Sequence, residues 1–170
     1  MLDRASQPHP DAIPISINCS IVTVSDTRTP ATDSSGALAQ QLLQAAGHTV
    51  GSYQIVPDEP DRILAELART IAIVPIVQAI VVNGGTGISA RDTTYDAISR
   101  VLTKTIPGFG EIFRYLSYQE IGSRAISSRA IAGTYGNILV FSLPGSRGAV
   151  QLGMEKLVLP ELIHLVSQIT

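Results

Sequence analysis

The segment AIVVNGGTG, residues 79–87, decides the predicted fold of this chain. Residues 79–82 are uniformly apolar and β-branched or small, which is typical of a strand buried on both faces of a sheet. Residues 83–87 follow directly, and their glycines allow backbone conformations that other residues rarely adopt. The segment therefore predicts an inner strand that ends in a tight loop.

Strand and helix patterns alternate on both sides of this segment. Apolar runs at 15–24 and 50–56 predict strands, and apolar residues at helical spacing predict helices at 36–46, 61–74 and 92–102. Such alternation is typical of a parallel sheet with helices on both sides. The predicted fold class is therefore α/β.

The C-terminal half predicts further elements of both kinds. We expect a helix that follows residues 107–111 and ends near residue 119, strands at 129–134 and 138–143, and a mostly helical stretch at 149–169 despite Pro160. Gly47, after the helix at 36–46, predicts a helix stop, and Ser34 or Ser35 is a candidate cap for the start of that helix.

The composition limits the classes of function. The chain has 170 residues, of which 45% are hydrophobic, and this predicts one domain at residues 15–170 after a flexible tail at residues 1–14 that contains three prolines. A net charge of −2 argues against nucleic acid and anionic membranes as partners. The single cysteine, Cys19, excludes an internal disulfide and is predicted to be a small buried hydrophobe. With no signal-peptide pattern and no apolar run long enough to span a bilayer, we expect a cytoplasmic protein.

Four predicted strands are followed by loops that are rich in Gly, Ser, Asp or Pro. These loops are residues 25–36, 57–60, 83–92 and 144–148. In an open parallel sheet, ligands bind beyond the carboxyl ends of the strands. The sequence therefore predicts a binding site where the four loops meet.

The loop of Gly84, Gly85, Thr86 and Gly87 has two interpretations. Its backbone N–H groups could converge on a phosphate, since glycine lets a ligand approach the backbone closely. Alternatively, the glycines serve only a tight turn with positive φ. The four residues alone do not decide between these interpretations.

Four carboxylates, Asp26, Asp33, Asp58 and Asp92, lie in the same loops. Each has a structural alternative: Asp92 as the N-cap of a helix, Asp58 in a plain turn, and Asp26 and Asp33 in side-chain turns. Carboxylates repel phosphates unless a cation lies between them, and Mg²⁺ usually binds through one or two carboxylates plus substrate phosphates. Together the residues point to a magnesium–nucleotide site and to phosphoryl or nucleotidyl transfer.

The ordered motifs of the chain resemble those of the MoaB/MogA family of molybdenum cofactor biosynthesis proteins. The motifs occur in the family's order over nearly the whole chain from about residue 15. They lie at residues 23–28, 33–36, 56–59, 84–87, 91–92, 107–111, 113–114, 128–130, 132–134 and 143–146.

The resemblance implies a three-layer α/β/α fold with a mostly parallel central sheet, the molybdopterin-binding fold. It implies a homo-oligomer, either a trimer or a hexamer, and contact with other proteins of the cofactor pathway. The implied activity is Mg²⁺-dependent transfer of AMP from ATP to the terminal phosphate of molybdopterin, with release of pyrophosphate. A non-catalytic molybdopterin carrier or assembly module is the alternative, and a nucleotide-binding protein unrelated to pterins is a third interpretation.

The resemblance also assigns roles to residues. Asp58 and Asp92 resemble the carboxylates essential to adenylylation, acting through Mg²⁺, and their presence favours the enzyme over the carrier. The loop at 84–87 resembles part of a phosphate cradle. The remaining residues implied to bind pterin or nucleotide are Ser25, Asp26, Asp33, Pro107, Gly108, Gly110, Glu111, Pro144, Gly145 and Ser146.

Overall fold

A six-stranded sheet organises the protein in this computed structural model, which describes residues 16–73 and 77–169. The strand order is β2-β1-β3-β6-β5-β4. The first four strands in this order are mutually parallel, and β5 is antiparallel to both of its neighbours. The strands are β1 (Asn18–Val24), β2 (Thr49–Val56), β3 (Ala79–Asn83), β4 (Lys104–Thr105), β5 (Ile131–Tyr135) and β6 (Ile138–Leu143).

Helices cover both faces of the sheet, which confirms the predicted three-layer α/β/α class. One core joins the sheet to α1, α4, α5 and α6, and the other joins it to α2 and α3. The helices are α1 (Ser34–Ala45), α2 (Pro60–Ile73), α3 (Thr94–Val101), α4 (Pro107–Ile121), α5 (Arg147–Gly153) and α6 (Leu159–Ser167). A 3₁₀ helix at Gly122–Ser127 follows α4.

Strand β3 is buried along its whole length, as its uniformly apolar sequence predicts. Val81 packs in one core, whereas Ile80 and Val82 pack in the other. Cys19 on the neighbouring strand is also fully buried, and this burial raises the pKa of its thiol to about 12. A thiol with such a pKa stays protonated at neutral pH, so Cys19 is the small buried hydrophobe that the sequence predicts.

The structure differs from the predicted elements at three places. Strand β4 was not predicted, because Lys104 and Thr105 are both exposed and carry no apolar pattern. Helix α4 begins at Pro107 rather than after Glu111, since proline at the first helical position has no N–H that would need a partner. The C-terminal helix is interrupted by a π-helical turn at Met154–Val158. Pro160 lies just beyond this turn and lacks the N–H that a regular helix would use there.

The residues predicted to begin and end α1 were partly right. Gly47 has a φ of +85° directly after the C-cap residue Ala46, which confirms it as the predicted stop. The cap at the start of α1 is Asp33, whose side chain accepts a hydrogen bond from the N–H of Gly36, and not Ser34 or Ser35. The tail predicted at residues 1–14 lies outside the described residues.

No helix within the described ranges is long and apolar enough to cross a membrane.

Candidate functional site

The four predicted loops lie at one edge of the sheet. They follow β1, β2, β3 and β6, which are the four contiguous parallel strands. Backbone hydrogen bonds connect the loops where they leave the strands: the N–H of Ser25 donates to the C=O of Val56 at 2.8 Å, and the N–H of Gly84 donates to the C=O of Leu143 at 3.1 Å. The structure therefore brings the loops together as a parallel sheet requires.

Two glycines allow three of these loops to touch through their backbones. Gly84 has a φ of +110°, and a Cβ atom there would lie 2.1 Å from the C=O oxygen of Val24. A Cβ atom on Gly145 would lie 2.9 Å from the Cα atom of Gly84. Any side chain at these positions would force the loops apart, so glycine is needed for the close approach.

Asp58 is buried at the centre of this edge and supports the start of α3. Its Oδ1 atom accepts hydrogen bonds from the N–H of Thr93 at 3.0 Å and from the Thr93 hydroxyl at 2.8 Å. The N-cap residue of α3 is Thr93, whose own side chain makes no capping bond. The N-cap alternative for Asp92 is therefore wrong, because Thr93 is the N-cap residue and the Asp92 carboxylate accepts from the N–H of Ser89, which precedes it, instead of from the helix.

The second carboxylate oxygen of Asp58 faces the glycine loop. A Cβ atom on Gly85 would lie 2.1 Å from Oδ2 of Asp58 and 2.2 Å from Oγ1 of Thr94. The Thr94 hydroxyl is buried, and within the described residues it has no hydrogen-bond partner. The absence of a side chain at Gly85 thus lets these two oxygen atoms lie close against the backbone of the glycine loop.

Asp92 faces the same loop one turn further along. A Cβ atom on Gly87 would lie 2.6 Å from Oδ2 of Asp92, and this oxygen accepts a hydrogen bond from the N–H of Ser89 at 3.0 Å. Asp92 also lines a cavity of about 390 Å³ together with Arg129 and Pro60. Asp58 and Asp92 therefore each place a carboxylate against a glycine of one loop.

Asp26 links three loops rather than forming a side-chain turn. Its Oδ1 atom accepts from the N–H of Asp58 at 3.1 Å, and its Oδ2 atom accepts from Nε of Arg91 at 2.9 Å. The hydrogen bond from the Asp58 amide and the contact with Arg91 hold the pKa of the Asp26 carboxyl below its usual value. Asp26 is therefore negatively charged at neutral pH and positions Asp58 through its backbone.

Asp33 is buried beneath the loops. Its carboxylate accepts hydrogen bonds from the N–H of Gly36 at 3.0 Å, from the Tyr53 hydroxyl at 2.7 Å and from Nη1 of Arg28 at 3.2 Å, as well as from Ser35. Burial alone raises the pKa of this carboxyl, but the hydrogen bonds outweigh burial and lower it. The structure places Asp33 where it caps α1 and holds the loops from below.

Arg28 connects this buried group to the last loop. Its Nη1 atom also donates to the hydroxyl of Ser35, and its Nη2 atom donates to the C=O of Gly145 at 2.8 Å. The loop after β1 and the loop after β6 are therefore joined by one guanidinium group. Arg28 lies in a motif of the resemblance, but sequence reasoning assigned it no role of its own.

The two serines predicted to bind ligand make local backbone contacts. The hydroxyl oxygen of Ser25 accepts from the N–H groups of Thr27 and Arg28, and that of Ser146 accepts from the N–H of Ala149 at the start of α5. Pro144 and Ser146 line a separate cavity of about 170 Å³. Both serines thus shape the ends of their loops.

The segment Pro107–Glu111 forms the beginning of α4. Pro107, Gly110 and Glu111 line a third cavity, of about 240 Å³, together with Arg114. A Cβ atom on Gly110 would lie 2.6 Å from the C=O oxygen of Ala130, so this glycine allows α4 to pack closely on the chain before β5. Gly108 has open space around it. The predicted site residues that line a cavity are therefore spread over three cavities rather than one.

Arg129 is another residue to which sequence reasoning assigned no role. Its side chain is only 26% exposed, and it donates hydrogen bonds to the C=O groups of Thr86, Gly87 and Asp92. Its position in the motif at 128–130 was the one available signal. Its backbone partners carry no signal in the sequence.

The comparisons with known proteins agree with this fold and this arrangement of loops. Residues 20–164 match the family described as "Probable molybdopterin binding domain". The fold and the edge of the sheet where the four loops meet therefore define a protein of the molybdopterin-binding class.

Individual relatives narrow this class. Molybdenum cofactor biosynthesis protein B of Halalkalibacterium halodurans is 52% identical over 162 residues, which cover 95% of each chain. A crystal structure of a molybdenum cofactor biosynthesis protein B is 52% identical, with a TM-score of 0.88 over 93% of this chain and 98% of that chain. A tungsten cofactor synthesizing protein MoaB from Pyrococcus furiosus is 34% identical, with a TM-score of 0.80 over 90% and 96% of the two chains. The chain belongs to the MoaB family of molybdenum cofactor biosynthesis proteins.

Proposed function

We propose that the protein acts in molybdenum cofactor biosynthesis by transferring AMP from ATP to the terminal phosphate of molybdopterin. The observation that carries this proposal is the placement of Asp58 and Asp92 against Gly85 and Gly87 of one loop. Two carboxylates beside a loop suited to phosphate suggest a bound cation and phosphate chemistry. Membership of the MoaB family supports the pterin as the acceptor.

The proposed reaction makes few demands on side chains as acids or bases. A terminal phosphate oxygen of molybdopterin attacks the α-phosphorus of ATP and forms a new P–O bond. The bond from that phosphorus to the oxygen that bridges to the β-phosphate breaks, and pyrophosphate leaves. Because a phosphate monoester is already anionic at neutral pH, the protein has mainly to position two anions and stabilise their charge. The loop amides and the ordered backbone at the sheet edge suit this task.

The residues beside Gly85 fit Mg²⁺. Oδ2 of Asp58 and the unpartnered Oγ1 of Thr94 both lie against the backbone of Gly85, and hard oxygen atoms are the ligands that Mg²⁺ prefers. No group of three or more His, Cys, Asp or Glu side chains in the described ranges is arranged to hold a metal ion. We infer that Asp58 and Asp92 would hold Mg²⁺ jointly with substrate phosphates, as Mg²⁺ sites usually require. When bound, the ion would neutralise charge on the phosphates.

Copies of the same chain are the further proposed partners, as a trimer or a hexamer. The supporting observation is an exposed apolar surface on α4 and the following 3₁₀ helix. Ile126 is 89% exposed, and Tyr115 and Tyr118 line the same groove. A monomer rarely leaves several large apolar side chains together in water, so this surface suits self-association. We also propose that other proteins of the cofactor pathway bind this chain, and this proposal rests on family membership.

A direct assay tests the proposed activity. Purified protein is incubated with molybdopterin, ATP and Mg²⁺, and adenylylated pterin and pyrophosphate are measured, with Asp92→Asn and a reaction without Mg²⁺ alongside. We expect Asp92→Asn to lower the rate at least about 100-fold, because it removes a negative charge that would hold Mg²⁺ against the substrate phosphates. The variant should fold normally, since the asparagine carbonyl oxygen can still accept from the N–H of Ser89.

The exposed carboxylate of Glu161 offers a control, because α6 packs on the opposite face of the sheet from α2 and α3. Glu161→Gln removes one negative charge from that face and should keep the wild-type rate. Wild-type turnover by Asp92→Asn would exclude the proposed role of Asp92. Bound molybdopterin without product in the wild type would instead favour the non-catalytic carrier, and ATP binding without pterin binding would favour a generic nucleotide-binding protein.

A further inference from the structure

All three nitrogen atoms of the Arg129 guanidinium group have hydrogen-bond partners inside the protein. Nε donates to the C=O of Thr86 at 3.0 Å, and Nη2 donates to the C=O groups of Gly87 at 2.5 Å and Asp92 at 3.3 Å. Nη1 contacts both carboxylate oxygens of Asp96, at 3.3 and 3.2 Å. Partners on all three nitrogens hold the planar group in one orientation.

Three of these five contacts fix the direction of peptide groups in the loop. In a trans peptide the N–H points away from the C=O of the same unit. The peptide between Asp92 and Thr93 shows the consequence: its C=O accepts from Arg129, while its N–H donates in the opposite direction to Asp58. The carbonyls of Thr86 and Gly87 also point to Arg129. The N–H groups of the residues after them, Gly87 and Ile88, must therefore point away from it.

These two N–H groups are available for a ligand. Within the described residues, the backbone hydrogen bonds of the loop involve Gly84, Gly85, Ser89 and Asp92, and the N–H groups of Gly87 and Ile88 donate to no protein atom. The side chain of Ile88 is 80% exposed, so it does not anchor the loop in a core. Consecutive backbone N–H groups on one side of a loop form a concavity that binds anions.

We propose that Arg129 is a positioning residue that directs the N–H groups of Gly87 and Ile88 toward a substrate phosphate. The arginine acts through its contacts with the carbonyl groups of the loop. Through the C=O of Asp92 it also fixes the backbone that carries the carboxylate facing Gly87. This inference rests on the proposed function, because it assigns the phosphate-binding amides of the same site.

Arginine suits this role better than any other residue. Its planar fork can contact several acceptors at once, and it stays charged at all relevant pH values. The ring of Tyr95 lies 4.9 Å from the guanidinium carbon, which stabilises the plane of the group. A lysine ammonium has three donors on one atom and cannot reach carbonyls on both sides of the fork. Charge alone should therefore not replace Arg129.

The first test measures amide hydrogen exchange of residues 84–93 in the ligand-free protein. In Arg129→Met we expect the N–H groups of Ser89, Asp92 and Thr93 to exchange at least about tenfold faster, since a loss of about 1.4 kcal/mol of restraint corresponds to that factor. Exchange in the core strands and the melting temperature should change little. Arg124→Met removes an exposed arginine and serves as the control, which should exchange like the wild type. Wild-type exchange of this segment in Arg129→Met would overturn the proposal.

The second test compares Arg129→Met and Arg129→Lys in the adenylylation assay. We expect kcat/KM to fall at least about tenfold in both variants. If the misdirected amides stabilise the transition state by about 1.4 kcal/mol less, the rate falls by that factor. Recovery of wild-type kcat/KM in Arg129→Lys would overturn the proposal, since charge without the fork would then suffice. If the wild type itself shows no adenylylation, the proposed function fails, and the exchange experiment, which needs no substrate, still decides the role of Arg129.

Discussion

Gly85→Ala should destabilise the protein because an alanine side chain there collides with the carboxylate of Asp58. The φ of Gly85 is +57°, and an L-residue in this region costs about 1–2 kcal/mol. The new Cβ atom would lie 2.1 Å from Oδ2 of Asp58 and 2.2 Å from Oγ1 of Thr94. To escape, Asp58 must weaken its two bonds to Thr93, and a hydrogen bond to a charged group contributes about 1.5–3 kcal/mol. We expect a total loss of at least about 3 kcal/mol, which combines the backbone cost with the loss of one such bond.

Gly47→Ala separates the backbone cost of a positive φ from the cost of the collision with Asp58. Gly47 also has a positive φ, +85°, but a Cβ atom there meets nothing within 4 Å. Its substitution should therefore cost only the backbone term of about 1–2 kcal/mol. Urea denaturation of both variants, at one protomer concentration because an oligomer's stability depends on it, gives the two free energies of unfolding. A difference between the variants below about 1 kcal/mol, less than one hydrogen bond to a charged group, would refute the collision with Asp58.

Two further predictions concern the buried carboxylate and the apolar surface. Asp33 has a lowered pKa when folded, so its contribution to stability is present above the unfolded pKa of about 3.9 and is lost as pH falls through the folded pKa. Asp33→Asn should therefore lower the free energy of unfolding, measured by urea denaturation, by about 2–3 kcal/mol at pH 7 and by less below pH 4. An equal loss at pH 7 and pH 3 would contradict this charge-dependent role. Tyr118→Glu should raise the dissociation constant of the oligomer at least about 100-fold in sedimentation equilibrium, since a buried aromatic side chain contributes strongly to an interface. Gln119→Glu, at the next exposed position of α4, should leave the mass unchanged, and an unchanged mass in Tyr118→Glu would place the contact between copies elsewhere.

The placement of the site followed from sequence because it depends on local patterns. Apolar strands that end in loops with Gly and Asp predict both a parallel sheet and the edge where ligands bind. The order β2-β1-β3-β6, with the four loops contiguous, agrees with that prediction. The roles of the individual carboxylates did not follow in the same way. Asp92 was a candidate cap because it precedes a helix, yet Thr93 is the N-cap residue, and its N–H donates to Asp58, 35 positions away.

The sequence alone determined the fold class, the strand β3 at its centre and the set of loops, because apolar periodicity and glycine turns act over a few residues. It also indicated the MoaB family, since ordered motifs specify a family without coordinates. Only the tertiary structure decided which donors meet which acceptors. Arg129 holds the carbonyls of Thr86 and Gly87, and a backbone carbonyl is the same chemical group at every position, so no pattern of residue types marks it as a partner.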